Sequence, residues 1–364
     1  MAKQSDSKSP KIRFVGFEDE WEEKAFLETT SKIGSGKTPT GGDSSYVSQG
    51  VALIRSQNIT NNSVFLQNVA FITHETDNEM VNSRVKKNDV LLNITGASIG
   101  RSAVYRLPEY ANVNQHVCII RPLEGFNADF IQLHLASIRG QRKIDNSQAG
   151  GARQGLNFQQ IGGMKFDYPS PAEQTKIGGY FRELDRLIGL QQRKHDKLVT
   201  LKKAMLQKMF PQPGATTPEI RFQGFSAAWE EKKLGEVSEF NPKCALPEIF
   251  EYVDLESVVG TQMVNHRTEA RRTAPSRAQR LARQGDLFFQ TVRPYQKNNH
   301  LFTLPHNNYV FSTGYAQIRP NHDGSFLLGL MQRDQFVKVV LDNCTGTSYP
   351  AINSNVWIFK VFRG

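Results

Sequence analysis

The chain has 364 residues, of which 38% are apolar and 22% are charged. This length predicts two domains, and this composition excludes an intrinsically disordered protein. The 45 lysine and arginine residues against 35 acidic residues give a formal net charge of +10. A basic excess of this size favours a polyanionic partner, either nucleic acid or an anionic membrane surface.

The cysteines and the N-terminus indicate a soluble protein of a reducing compartment. The three cysteines lie far apart in the sequence and give no C-x-x-C spacing, which argues against a zinc ribbon or a disulfide framework. The first ten residues are polar and lack the apolar region of a signal peptide. No apolar run approaches the ~18 residues that a membrane span needs. We therefore expect a cytoplasmic protein without membrane contact.

An internal repeat is the first feature along the chain. Residues 12–24 (IRFVGFEDEWEEK) and 220–232 (IRFQGFSAAWEEK) are identical at nine of thirteen positions, 208 residues apart. A period near 200 residues is far too long for a solenoid. The repeat therefore predicts two homologous domains in tandem, at 1–170 and 214–364, with a long spacer helix at 171–213 between them.

Each copy of the repeat is predicted to be an α+β domain. Short apolar or alternating runs such as VALIRS, DVLLNIT, HVCIIRP, DLFFQT, YAQIRP and VWIFKVF predict strands. One helix per copy is predicted, at 128–144 and at 325–341. Gly, Asn and Pro clusters punctuate the strands, so we expect a strongly bent sheet with much loop. Weaker similarities between the copies follow in the same order, pairing 85–96 with 282–293, 110–122 with 309–320, and 154–166 with 349–362.

The segment 171–210 predicts one long helix. Pro171 suits the first helical position and Ser170 suits the N-cap, and prolines follow the last predicted turn. Gly178 and Gly179 each cost about 1 kcal/mol relative to alanine, which indicates a close helix approach or a frayed first turn. About 38 helical residues make a rod of roughly 57 Å. An ordinary long core helix is the alternative reading.

Apolar residues recur along this helix at a and d spacing, which favours pairing with another helix. Gln191 and His195 interrupt the stripe at its centre, and a polar residue at such a position fixes the register of a helix pair. The predicted partner-helix interface consists of Ile177, Phe181, Leu184, Ile188, Leu198, Met205 and Met209.

The sequence contains no recognisable catalytic or metal-binding constellation. GSGKT at 34–38 lacks the first glycine of a P-loop, because Ser31 stands at that position. Asn241-Pro242-Lys243 lacks the second proline and the aromatic residue of a methyltransferase motif. The eight histidines show no H-E-x-x-H spacing, and no G-x-S-x-G elbow occurs. We expect neither enzymatic activity nor a cofactor or metal in this chain.

Polar loops with interleaved aromatic residues occupy matched positions in the two copies. Arginine and lysine suit guanine edges, whereas asparagine and glutamine suit adenine edges; plain surface loops are the alternative. The arginine-rich run 266–283 suits phosphate contacts or a solvated face. The candidate DNA-binding residues are Lys37, Thr38, Arg55, Thr95, Ser98, Arg101, Asn114, Gln115, Arg153 and Gln154 in the first copy, and Lys243, Arg293, Tyr295, Lys297 and Tyr349 in the second.

The order of these features resembles the specificity (S) subunit of Type I restriction-modification systems. The resemblance covers essentially the whole chain: an opening R-F-x-G-F-x-x-x-W, then GKTP and TGASIG, then the spacer, then a second such domain. Its most specific part is PSPAEQTKIGGYFRELDRLIGLQQRKHDKLVTLKKAMLQKMFP, which looks like the spacer between two target recognition domains.

The resemblance implies a non-catalytic protein that binds double-stranded DNA in the cytoplasm of a prokaryote. Each domain would read one half of a bipartite target, and the spacer helix would set the gap. Two modification (methyltransferase) subunits, and restriction subunits with them, would be partners. S-adenosylmethionine and ATP would belong to those partners.

The chain departs from the family pattern in one place. Family members usually carry a second long helix after the second domain, and the repeat stops here at Gly364. This implies either a shortened form or a second chain that supplies the helix, and it favours a homodimer through 171–210. The competing interpretations are a stand-alone sequence-specific DNA-binding protein, a divergent nuclease or methyltransferase, and a coiled-coil adaptor.

Overall fold

The structure is a computed structural model that describes residues 10–60, 62–148, 155–346, 350–353 and 361–363. The chain divides into two compact units, Met1–Gln192 and Arg193–Gly364. Both units mix helices and strands, and the long helix between the two sheet-rich regions begins in unit 1 and ends in unit 2. The predicted α+β class is therefore confirmed. None of the described helices combines the length and hydropathy that crossing a membrane requires.

Unit 1 is built from short strands and five helices among its described residues, and a sixth helix begins in it. The helices are α1 (Phe26–Thr29), α2 (His74–Glu79), α3 (Ala128–Ala136), α4 (Ile138–Ser147), α5 (Phe158–Gly162) and α6 (Pro171–Lys208), which continues into unit 2. Its strands are β1 (Glu22–Ala25), β2 (Thr30–Ser35), β3 (Val51–Ile54), β4 (Ile59–Thr60), β5 (Ser63–Val64), β6 (Ala70–Ile72), β7 (Arg84–Val85), β8 (Val90–Asn93), β9 (Ser102–Val104), β10 (Ala111–Val113), β11 (Val117–Pro122) and β12 (Lys165–Tyr168).

Unit 2 repeats this series of strands, with fewer helices among its described residues. Its helices are α7 (Leu234–Val237), α8 (Gly324–Met331) and α9 (Asp334–Leu341). Its strands are β13 (Glu231–Lys233), β14 (Ser238–Phe240), β15 (Ile249–Val253), β16 (Val258–Val259), β17 (Gln262–Met263), β18 (Arg267–Ala270), β19 (Ala278–Leu281), β20 (Leu287–Gln290), β21 (His300–Leu301), β22 (Tyr309–Ser312), β23 (Tyr315–Pro320) and β24 (Val361–Arg363).

The two units share one sheet topology. Unit 1 has four-stranded sheets in the order β2-β11-β8-β9 and β6-β3-β10-β7, and unit 2 has β14-β23-β20-β21 and β18-β15-β22-β19. In each unit one pair of strands is parallel, β3 with β10 and β15 with β22, whereas their neighbours are antiparallel. The repeat seen in the sequence is thus a duplication of the whole strand order.

The central strands β8 and β20 each begin with three consecutive apolar residues because both of their faces are covered. In β8, Val90 and Leu92 belong to a core shared with α3 and α4, while Leu91 faces a second core between the two sheets. In β20, Leu287 and Phe289 face the helix-side core, whereas Phe288 faces the core between the two sheets. Successive strand residues point to opposite faces, so the sheet that contains β8 or β20 has an apolar layer on each side, one shared with helices and one shared with the second sheet.

A buried aspartate–arginine pair fastens the same two strands in both units. The Asp89 carboxylate accepts two hydrogen bonds from Arg121, both of 2.7 Å, and Asp286 accepts two of 2.8 Å from Arg319. Each aspartate side chain is 1% exposed. Each also accepts a backbone N–H from the turn before its strand. In each copy of the repeat, the aspartate before the central strand therefore meets the arginine of the Arg-Pro pair in a bidentate contact.

The predicted helices at 128–144 and 325–341 are wrong as single helices. Ser137 ends α3 and caps α4, because its extended backbone breaks the helix and its Oγ accepts the Gly140 N–H. In unit 2, Arg333 is extended and separates α8 from α9. Apolar periodicity continues across each break, so it does not reveal that the chain changes direction there.

Helix α6 begins as predicted, at Pro171, with Ser170 accepting the Glu173 N–H at 3.4 Å. The Glu173 carboxylate is 1% exposed and accepts two hydrogen bonds of 2.7 Å from Arg13 of the N-terminal motif. A Cβ on Gly178 would lie 2.7 Å from Asn127 Oδ1 and 2.8 Å from the Asp129 Cβ, while Gly179 has open space. The close approach predicted for this glycine pair therefore belongs to Gly178.

The apolar stripe of α6 is partly buried at its ends and exposed along its middle. Ile177 packs against the helix-side core of unit 1, and Met209, just past the helix end, packs against that of unit 2. Phe181, Ile188 and Leu198 are 45%, 67% and 54% exposed. Leu184 is exposed, and Met205 lines an apolar pocket of about 390 Å³ in unit 2.

Replacing Asp286 with alanine tests the buried pair. The Arg319 guanidinium would remain in the interior without its partner, and breaking such a pair costs about 3–5 kcal/mol of unfolding free energy. Urea unfolding of D286A should show this loss, whereas D342A, an exposed aspartate of the same unit, should change stability by less than about 0.5 kcal/mol. Equal stability of the two variants would contradict a fastening role for the pair.

The two neighbouring glycines of α6 give a matched comparison. Alanine at Gly178 would overlap Asn127 and Asp129, and overpacking of this kind costs about 1–3 kcal/mol. Alanine at Gly179 meets no neighbour and should stabilise the helix by up to about 1 kcal/mol. Thermal unfolding should therefore move in opposite directions for G178A and G179A. A rise in Tm for both variants would show that the contact at Gly178 is not tight.

Candidate nucleic-acid interface

The candidate residues of unit 1 gather where several strands end. The parallel strands β3 and β10 finish side by side, so Arg55 and Asn114 follow neighbouring ends. Strand β8 ends opposite the start of β11, which places Thr95 beside the loop 114–116. Strand β2 also ends along β11, and its continuation carries Lys37 and Thr38 to the same edge. The sheet topology thus brings separate loops to one edge.

A chain of polar contacts joins three of these loops. The Thr38 hydroxyl donates to Gln115 Oε1, and the Gln115 side-chain nitrogen lies 3.1 Å from His116 Nε2. The other ring nitrogen of His116 lies 2.5 Å from the Thr95 hydroxyl. Thr38 and Gln115 remain exposed. This network fixes the positions of side chains that still present polar atoms to solvent.

Gly36 allows the loop that carries Thr38 to pack closely against the end of β10. A Cβ on Gly36 would lie 1.6 Å from the Val113 carbonyl oxygen, and the Gly36 N–H donates to the Asn114 carbonyl at 3.3 Å. Asn114 itself is buried, and its Oδ1 accepts the His116 N–H at 3.2 Å. Asn114 therefore supports the loop from beneath, whereas Gln115 stands at the surface.

Three of the remaining described candidates of unit 1, Lys37, Arg55 and Arg101, are basic. Lys37 and Arg101 are exposed, and Ser98 is partly exposed in the turn after β8. The Arg55 guanidinium lies 5.4 Å from the centre of the Tyr46 ring. Stacking on an aromatic face holds a guanidinium while leaving its edge able to donate hydrogen bonds.

In unit 2 the turn after β20, residues 291–299, is held rigidly by hydrogen bonds among its own residues and Gln290. The Asn299 Oδ1 accepts the Gln290 N–H at 2.9 Å, and the Gln290 side-chain nitrogen donates to the Val292 carbonyl and to Gln296 Oε1. Gln290 and Asn299 are both buried. The candidates of this turn are Arg293, which is partly exposed, Tyr295 at the exposed tip, and Lys297, which donates to the Gln332 carbonyl and pairs with Asp334.

The charges of unit 2 are partly paired with each other. Asp254 follows β15 at the position that Arg55 occupies after β3, and it accepts a hydrogen bond of 2.7 Å from Arg267. Burial raises the pKa of Asp254, but the hydrogen bonds from Arg267 and Ser257 outweigh it, so the net pKa lies below the usual value. Two of the six arginines in the run 266–283 form ion pairs, Arg267 with Asp254 and Arg271 with Glu248. Lys243 is exposed in the loop after β14.

Three candidates, Arg153, Gln154 and Tyr349, lie outside the described residues, and their role stays a prediction. His116 is the residue that sequence reasoning missed, because the histidines were weighed only as metal ligands. Its position directly after Asn114 and Gln115 was the available signal. Within the described ranges, no three His, Cys, Asp or Glu side chains gather as a metal site.

The comparisons with known proteins agree on one family. The model of the Type I restriction modification DNA specificity domain matches residues 18–200, which is half of the chain. The chain therefore belongs to this family, whose relatives are non-catalytic specificity subunits.

Two further proteins are similar to this chain. The specificity subunit of the Type I restriction enzyme EcoBI from Escherichia coli is 31% identical over 132 residues, which are 36% of this chain and 28% of that protein. The alignment thus spans less than a third of that relative. The crystal structure of the Type I restriction-modification S subunit from M. genitalium superimposes with a TM-score of 0.60 and 13% identity, covering 97% of this chain and 86% of the other.

That superposition shows a shared fold. A second solved structure, which concerns the structural basis of complex assembly and conformational transition of the type I R-M system, gives a TM-score of 0.45 at 15% identity. The match covers 95% of this chain and 86% of the other.

Proposed function

We propose that this chain is the DNA sequence-recognition subunit of a Type I restriction-modification complex. Each unit would read one half of a bipartite DNA target. The observation that carries this proposal is one sheet topology, built twice, with different side chains at the same edge: Thr38, Gln115 and His116 in unit 1, and Arg293 and Tyr295 in unit 2. Identical scaffolds with different polar loops suit two readers of different sequences.

Base recognition by these edges is chemically reasonable. Glutamine and arginine make bidentate hydrogen bonds with adenine and guanine edges, and the network around His116 pre-orients Gln115. The lysine and arginine residues that give the chain its net charge of +10 would contact phosphates. Such contacts position a protein on DNA without reading its sequence.

Helix α6 is the proposed ruler between the half-sites. It has 38 residues, or roughly 57 Å at 1.5 Å per residue. It is bound at its start to unit 1 by the Arg13–Glu173 pair, and after its end Phe210 packs into the core of unit 2. A continuous helix with both ends bound is a stiff spacer, which suits a target with a fixed gap.

The catalytic partners of the complex follow from the same proposal. Two modification subunits would methylate adenine, and restriction subunits would join through the complex, in the cytoplasm of a prokaryote. S-adenosylmethionine and ATP would be bound by those subunits. This chain would hold no cofactor, and its role would be to direct the partners to their DNA.

The exposed stripe on α6 supports a further part of the proposal, a homodimer through residues 171–210. Phe181, Ile188 and Leu198 present large apolar surfaces at a and d spacing, and a contiguous apolar stripe on a helix is typical of an association site.

A methylation map tests the function. The candidate modification subunit is expressed in a methylation-free host with and without this chain, and modified adenines are mapped. A split motif with a fixed gap should appear only when this chain is present. A symmetric motif would indicate two copies of one unit acting across a homodimer. No methylation from an assembled complex would contradict the directing role, and no complex at all would favour a stand-alone DNA-binding protein.

A charge on the α6 stripe tests the homodimer. Light scattering of the wild-type chain should give about twice the 41.1 kDa chain mass at micromolar concentration. I188K should give the single-chain mass, because a lysine in a helix seam is strongly unfavourable. L190K is the control, since Leu190 is exposed but lies two residues, or about 200°, around the helix. A single-chain mass for the wild type would refute the dimer.

A further inference from the structure

The start of α6 is held in unit 1 by contacts with the beginning of α3. The Gln174 Oε1 accepts the N–H of Asn127, the N-cap of α3, at 3.1 Å. Gly178 lies against the side chains of Asn127 and Asp129. Glu173 and Gln174 are at most 1% exposed, so the first turn of α6 is buried on unit 1.

The repeated motif near the N-terminus binds the same part of α6. The Arg13 guanidinium donates two hydrogen bonds to the Glu173 carboxylate. The Phe14 ring meets the Tyr180 ring edge to face at 5.7 Å, and the Lys176 amine lies 5.7 Å from the centre of the Phe14 ring. Unit 1 thus receives a helix start through an arginine and an aromatic ring of this motif.

Unit 2 has the same receiving surface at the matching positions of the repeat. Trp21 packs on Phe130 with ring centres 5.6 Å apart, and Trp229 packs on Phe326 at the same distance. The side chain of Asp323 caps α8, as an asparagine caps α3. Unit 2 therefore contains the counterparts of the residues on which the start of α6 lies in unit 1.

In unit 2 this surface is open. Phe130 is 3% exposed, whereas Phe326 is 38% exposed although Phe210 stacks on it at 5.5 Å. Phe222 of the repeated motif is 71% exposed. A pocket of about 500 Å³ lies beside Asp323 and Phe326. No helix start from the described part of the chain covers this surface.

The arginine of the motif in unit 2 forms no ion pair with any residue that the structure describes. Arg221 matches Arg13, which lies 208 residues earlier, but its Nη1 donates to the Ala227 carbonyl at 2.6 Å. Arg221 and Phe222 line an adjoining apolar pocket of about 390 Å³. A guanidinium is well suited to bind a carboxylate, so this surface suits a ligand that combines a carboxylate with apolar side chains.

We propose that unit 2 carries a docking site for the start of a helix that another polypeptide supplies, with a carboxylate in the first turn of that helix. The site, named the helix seat, consists of Arg221, Phe222, Trp229, Asp323 and Phe326. The start of α6 in unit 1 indicates the chemistry of the occupant. It is a helix that begins with proline and has glutamate as its third residue, glutamine as its fourth and glycine as its eighth.

A second copy of this chain does not supply the helix, because Glu173 and Gln174 of each copy are buried on its own unit 1. The helix seat is also distinct from the exposed stripe in the middle of α6, through which the homodimer is proposed. Docking of a helix in unit 2 does not rest on the DNA-reading function.

A peptide with the sequence of residues 169–187, PSPAEQTKIGGYFRELDRL, tests the helix seat. The fluorescein-labelled peptide is titrated with the full chain, and its anisotropy reports binding, which should saturate at one peptide per chain. R221A should weaken binding about 10- to 150-fold, the range for hydrogen bonds to a charged group. R272A, which removes an exposed arginine elsewhere in unit 2, should leave binding unchanged.

Changes in the peptide test the same contacts without altering the fold of the chain. The E173Q peptide should bind the wild-type chain as weakly as the unchanged peptide binds R221A, and combining both changes should add little, because they remove one contact. The G178A peptide should bind more weakly, since its Cβ would meet the start of α8. The G179A peptide should bind at least as tightly, because alanine favours the helix.

Absence of peptide binding would overturn the docking site. Equal binding of the E173Q and unchanged peptides, or an equal loss in R221A and R272A, would do the same. Binding that disappears as the chain concentration rises through the dimer transition would assign the helix seat to a second copy and overturn its assignment to another polypeptide. None of these outcomes affects the methylation map, which tests the DNA-reading function separately.

Discussion

The buried pairing of Asp89 with Arg121, and of Asp286 with Arg319, is the contact on which both units are organised. Each pair ties the turn before one central strand to the end of the neighbouring strand, inside the protein. Because a bidentate pair has one geometry, it fixes the register of the two strands. Hydrogen bonds to the aspartates raise the pKa of the Arg121 and Arg319 side chains above its ordinary value, so both guanidinium groups are positively charged at neutral pH.

With the register fixed, the strand ends come together at one edge, and the loops there are free to differ. Strands β8 and β20 have both faces buried, so their side chains cannot vary much without disturbing a core. The loops after them carry no such constraint. Unit 1 builds a network through His116, whereas unit 2 builds a rigid turn around Gln290 and Asn299. One scaffold therefore carries two different sets of polar side chains at the same edge.

Much of the fold could be predicted because its signals are local or repeated. The 12–24 and 220–232 segments reveal the duplication, and Ser170 with Pro171 marks the start of α6. The candidate site was only partly predictable. Thr38, Thr95 and Gln115 were recognised by residue type, but His116 was not, because the loops that meet around Gln115 and His116 are separated by up to 77 residues of sequence.

The residue pattern alone determined that the chain is two related α+β domains separated by a long amphipathic helix, because periodicity, capping and repetition are properties of neighbouring residues. The tertiary structure decided where helices break and which polar side chains meet. Ser137 ends a helix although the apolar pattern continues through it, and Gly178, not Gly179, faces a neighbour. Such outcomes depend on packing between distant segments, which the local sequence does not encode.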